Sequence, residues 1–110
     1  MLYDKITIGT EEVTMSCCGS VIKCYKDIFS EDFLAEVGKD ATNTNLYLRM
    51  GFVMAKFAEL NNRDAVSRLT WDDFYDWIDH YSTGDLILAV EKIATLFMKE
   101  SKGTVAAKKR

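Results

Sequence analysis

At 110 residues, 48% hydrophobic and 28% charged, the sequence is sized for one globular domain with a core of its own. Its net charge of −3 is uneven: five cations and one anion in residues 99–110 give +4, leaving −7 on residues 1–98. An acidic body argues against nucleic-acid binding, which needs clustered Lys and Arg, and no apolar run approaches the roughly 20 residues of a membrane span.

In chain order, Asp4–Ile8 and Glu12–Met15 alternate around Gly9-Thr10-Glu11. They predict a β-hairpin over 4–15 with Ile6, Ile8, Val13 and Met15 on its apolar face. The period then changes to 3.6. A helix is expected over 17–29, with Cys17, Cys18, Val21, Ile22, Cys24, Tyr25, Ile28 and Phe29 sharing one side. Ser30 is placed to cap a short helix, 31–37, that Gly38 stops. Residues 38–45 read as a loop.

The longest helical signal covers 45–60. Leu46, Met50, Val53, Phe57 and Leu60 form its core stripe, with Tyr47 and Met54 on the flank. Leu48 and Phe52 lie opposite, beside Arg49, Lys56 and Glu59. That second stripe is either a side covered by another element or an exposed contact surface. Leu48, Phe52, Met54 and Tyr47 are therefore the candidate partner-binding residues. Asn61–Arg68 reads as a connection with room for one loose turn.

The segment TWDDFYDWIDHY predicts a helix over 71–81 holding five of the thirteen aromatic residues. Trp71, Phe74, Tyr75, Trp77, Ile78 and Tyr81 fall on one arc, and Asp72, Asp73, Asp76, Asp79 and His80 on the other. Thr70 and Asp73 fit a capping box, with Leu69 stapling onto Phe74. The rings read first as core, giving Trp71, Phe74 and Trp77 that role with Phe57, Val53 and Ile93. Ser82-Thr83-Gly84 breaks the chain before a last helix, 85–98, with Leu86, Val90, Ile93 and Phe97 inward. Residues 99–110 read as a basic, disordered tail. The fold expected is a mainly α bundle of four to five helices with an N-terminal hairpin, one domain over 1–98.

No catalytic constellation emerges. Cys17, Cys18, Cys24 and His80 match a zinc set by type, but there is no C-x-x-C pair, and the histidine is distant and on a polar face. On one helix Cys17 and Cys24 would sit roughly 10 Å apart, too far for a disulfide. Asp72, Asp76 and Asp79 read as a solvated face, since acid–base work needs burial or mutual repulsion. The six glycines match no phosphate or dinucleotide loop. No cofactor or metal is expected. An odd cysteine count and a start without a basic, apolar leader point to the cytoplasm.

In sequence order, KITIG with EEVTM, VIKCYKDIF before SEDFL, LYLRMGFVMAKFAEL, LTWDDFYDWID, a final helix and a lysine-rich end resemble the small tail assembly chaperones of long-tailed (siphovirus-type) bacteriophages and prophages. The resemblance covers nearly the whole chain as an order of elements, without an invariant signature. It implies a holdase for the tail tape-measure protein during tail morphogenesis, while the Leu48 and Phe52 stripe suits self-association as well as a partner. It also implies a longer product made by ribosomal frameshifting, whose extension engages tail-tube subunits, and absence from the mature virion. Ala107-Lys108-Lys109 is compatible with a slippery A-AAA-AAG heptamer. The family offers no role for Cys17-Cys18. Two other readings stand beside it: a head–tail connection or tail-completion protein kept in the particle, and a small regulatory binding protein.

Overall fold

Alternation on both sides of a reversal needs a residue that tolerates a left-handed turn, and Gly9 supplies it. The computed structural model describes the backbone of residues 2–40 and 42–108, and side chains of residues 3–40 and 42–99. Strand β1 (Leu2–Ile8) pairs antiparallel with β2 (Glu11–Cys17), placing Ile8 opposite Glu11 and Ile6 opposite Val13. Gly9 has a φ of +66° while Thr10 stays negative, the pattern of a type II′ turn. A Cβ at Gly9 would also lie 2.6 Å from the Asp85 carboxylate, so the tip of the hairpin rests closely on a helix start.

The hairpin is longer than the 4–15 expected. Ile6, Ile8, Met15 and Cys17 are all buried, and these alternating positions bury one face. Cys17 thus completes a strand instead of opening a helix. Helix α1 (Ser20–Phe29) begins three residues later than its expected start and buries Val21, Cys24, Tyr25, Ile28 and Phe29.

Ser30 ends α1 instead of capping the next helix. Its φ of 57° is left-handed, and its N–H donates to the Lys26 carbonyl at 2.8 Å. Asp32 takes the capping role, its carboxylate accepting from Leu34 and Ala35 N–H at 3.0 and 3.3 Å. Helix α2 (Phe33–Lys39) therefore sits two residues later than 31–37, and Gly38 lies inside it.

Helix α3 (Thr44–Leu60) starts at an Asn43 cap and stops at Asn61, which has a left-handed φ of 47°. The next stretch is more ordered than a connection: α4 (Arg63–Ser67), capped by Asn62, buries Val66. Helix α5 (Trp71–Asp79) has the predicted capping box, with Thr70 N–H donating to Asp73 Oδ2 at 2.8 Å and Asp73 N–H to Thr70 Oγ1 at 3.4 Å.

Helix α6 (Thr83–Lys108) is entered through Ser82, whose hydroxyl accepts from Asp85 N–H at 3.2 Å. It runs well past the expected end at 98. The tail expected to be disordered is helical to Lys108, and residues 109 and 110 lie outside the described residues. No proline interrupts this stretch, Ala106 and Ala107 favour helix, and lysines suit a helix C-terminus.

The described residues thus form a mainly α fold of six helices with an antiparallel hairpin at the start. Helix α3 runs through the middle, against the hairpin, α1, α4, α5 and α6. It meets α6 at Gly51, where a Cβ would lie 2.5 Å from Ile93 Cδ1. Only hydrogen leaves room for that crossing. No helix among the described residues is long and apolar enough to cross a membrane.

Candidate functional site

The aromatic face of α5 and the second stripe of α3 cover each other. Phe52 lies 5.6 Å from Phe74 and 5.9 Å from Trp77, ring centre to centre, with both contacts edge-on. Phe29 of α1 closes the cluster at 5.5 Å from Phe74 and 4.8 Å from Trp71. The structure therefore selects the first of the two readings for that stripe: α3 is a central helix covered on both sides.

This corrects the candidate binding residues. Phe52 and Met54 are fully buried at 0% exposure, and Leu48 and Tyr47 are half-buried against the core. Tyr47 packs edge-on to Phe33 at 5.9 Å. Arg49, which made that side look wet, is also sequestered. It donates to Glu31 at 2.6 Å and lies 5.3 Å from the centre of the Trp71 ring.

Among the core candidates, Phe74, Phe57, Val53 and Ile93 are buried. Trp77 is half-buried and packs against that core, while Trp71, 37% exposed, is a correction. Trp71 is the first residue of α5, so one edge meets Phe29 while the rest overhangs the end of the cluster beside exposed Tyr75. Tyr25 links Phe29 to Phe33, at ring distances of 4.9 and 5.2 Å. Its buried hydroxyl has no hydrogen-bond partner among the described residues, and burial pushes the phenol up to about 12.

The residues named for chemistry do not converge. Cys24 faces α4, where the Ser67 hydroxyl donates to its sulfur at 3.4 Å, and burial pushes the thiol up. That is the setting of an inert structural thiol. His80 follows the end of α5 and lies 3.2 Å from Glu11 of the hairpin. Asp72, Asp76 and Asp79 are exposed. No three His, Cys, Asp or Glu among the described residues gather as a metal site.

The surface that does stand out is on α6. Its inner face buries Leu86, Ala89, Ile93, Leu96 and Phe97. Beside that face Ile87, Val90, Ala94 and Met98 follow at spacings of three, four and four along one stripe, in which Val90, expected inward, and Ala94 are half-buried. Ile87 is 62% exposed and Met98 48%; Leu88, on the flank, is 70% exposed. The stripe runs for about 16 Å of helix.

Leu88 also borders a groove of about 750 Å³ between β1 and α6, whose other walls include Lys5, Thr7, Lys92 and Lys99. Lys92 spans it, donating from Nζ to the Thr7 carbonyl at 3.1 Å.

A signal for this surface exists in the sequence. Leu86-Ile87-Leu88-Ala89-Val90 is a continuous apolar run, and five neighbours on a helix cannot share one side. Of its inward members Leu86 was legible, while Ala89 is buried where Val90 was expected, and the surplus was the clue missed. No protein-family model, curated protein or solved structure matches this chain.

Proposed function

We propose that this chain is a non-enzymatic protein-binding module that acts as a phage tail assembly chaperone, holding the helical tape-measure protein soluble through the outer stripe of α6. The observation that carries the binding role is that stripe: its ends, Ile87 and Met98, are about half exposed or more beside a face that already forms core, with Leu88 exposed on the flank. Large apolar side chains aligned at helical spacing suit another amphipathic helix, laid along the stripe as helices pack in a groove. Met98 adds a side chain that adapts to varied partners. The acidic body, −7 over residues 1–98, keeps a protein with such a face in solution.

The chaperone identity draws on the resemblance in element order. The hairpin, the long central helix and the Trp-rich helix occur in that order along the fold. The reading places the protein in the host cytoplasm during tail morphogenesis, with tail-tube contacts belonging to a frameshifted longer form.

The test is co-expression with the tape-measure polypeptide of the same phage or prophage, followed by mass spectrometry of purified particles. The reading predicts soluble tape measure only when the chain is present, and no copy of the chain in particles. Tape measure that stays insoluble would refute it, and stoichiometric copies in the particle would favour a retained tail component.

A further inference from the structure

The two strands of the hairpin have edges of opposite character. In a two-residue hairpin the Ile8–Glu11 pair bonds inward, so Ile6–Val13 and Asp4–Met15 do too. The backbone groups of Lys5 and Thr7 on β1, and of Glu12 and Thr14 on β2, then point away from the sheet. On β1 two of these four groups are already occupied. The Thr7 carbonyl accepts from Lys92 Nζ at 3.1 Å, and Lys5 N–H donates to the Asp4 carboxylate at 2.8 Å. Such devices blunt a sheet edge.

On β2 no hydrogen bond occupies the outward N–H and carbonyl groups of Glu12 and Thr14 among the described residues. Beside that edge runs a groove of about 560 Å³, lined by β2 from Glu11 to Thr14, by Ala55, Ala58 and Glu59 of α3, and by Trp77, His80 and Tyr81. Its floor is shallow and apolar because α3 presents two alanines there. Its rim is acidic. The side chains of Glu11, Glu12 and Glu59 are each half or more exposed. Lys56 pairs with Glu59 at 3.1 Å and Lys5 only approaches Glu12, at 4.0 Å, while His80 reaches Glu11. The adjoining helix α5 adds four aspartates and no Lys or Arg.

We propose that the open edge of β2 at Glu12 and Thr14 docks an extended basic segment of a partner protein, which adds to the hairpin as a third strand. Four backbone hydrogen bonds become available to it, from the N–H and carbonyl of both residues. Alternate side chains of the added strand fall on the alanine floor and must be small and apolar. The others stand beside Glu12 and the acidic rim and carry Lys or Arg. This surface is separate from the α6 stripe and stands without it.

The experiment uses the isotope-labelled full chain, titrated with a short alternating Lys–Val peptide and with its Glu–Val counterpart, followed by amide shifts and hydrogen exchange. The basic peptide is expected to shift the Glu12 and Thr14 amides and slow their exchange. Thr14→Pro removes an outward donor without touching the inner ladder and should weaken binding about tenfold. Ala58→Arg, which sets a cation into the groove from another element, should weaken it comparably, and keeps the test valid if the proline variant misfolds. Absence of binding at millimolar peptide, shifts confined to α6, or equal binding of the acidic peptide would each overturn the proposal.

Discussion

Helices α3 and α6 both carry apolar residues on more than one side, and the two meet opposite fates. On α3 the second side is covered within the chain, with Phe52 enclosed by Phe74 and Trp77 of α5 and by Phe29 of α1 at 6.4 Å. On α6 the second side, Ile87 to Met98, is covered only in part: Val90 and Ala94 are half-buried, while Ile87 and Met98 stay exposed, as does Leu88 on the flank. A surplus apolar stripe is thus a question about what covers it. Its composition alone does not answer, because Leu48 and Phe52 looked no more core-like than Ile87 and Leu88.

The sharpest way to break this comparison is truncation on each side. Phe52→Ala should cost about 3–5 kcal/mol in urea unfolding, as a buried ring leaves a cavity. Ile87→Ala should stay within about 0.5 kcal/mol, the range for exposed positions. Equal costs would mean that the outer face of α6 is buried after all.

Next in size is the crossing of α3 and α6. Gly51→Ala pushes a methyl into Ile93 and should lower stability by about 1–3 kcal/mol, measured the same way. Thr70→Ala removes half of the capping box of α5 and should cost about 1 kcal/mol. Its signature would be faster hydrogen exchange in α5, with α6 unchanged.

The smallest effect at neutral pH is expected from Tyr25→Phe. Removing a buried hydroxyl that lacks a partner should be neutral or stabilising by up to about 1 kcal/mol. Alkali separates the two proteins. The folded phenol titrates at about 12 against 10.0 when unfolded, so the neutral phenol supports the fold fully below pH 10.0 and that support drains away as pH rises toward 12. Stability measured across that window should fall more steeply for the native chain than for Tyr25→Phe. Parallel curves would show that Tyr25 is not the buried phenol responsible.

How far the sequence carried this account depends on whether a signal was local. The capping box at Thr70 and Asp73 and the inward positions Leu86, Ile93 and Phe97 of α6 are local and were legible, whereas Val90, expected with them, is half-buried. Ser30 was misread because its hydroxyl makes it look like a cap, while its left-handed backbone closes α1 and leaves Asp32 to cap α2. Cys17 was misread because its alternation with Met15 was short enough to be taken into a helical period. The second stripe of α3 was open to two readings for a tertiary reason: whether α5 lies over Phe52 or elsewhere is a matter of docking, to which helical periodicity is blind. The run at residues 86–90 carried a local signal of exposed apolar side chains, an excess over what one face can bury.

The most direct test of the central claim is the double variant Ile87→Glu with Leu88→Glu, co-expressed with the tape-measure polypeptide and assayed for its soluble fraction. The account predicts a variant that unfolds in urea like the native chain yet leaves the tape measure insoluble where the native chain keeps it in solution. A folded variant that protects the tape measure as well as the native chain does would contradict the assignment of the α6 stripe as the binding surface.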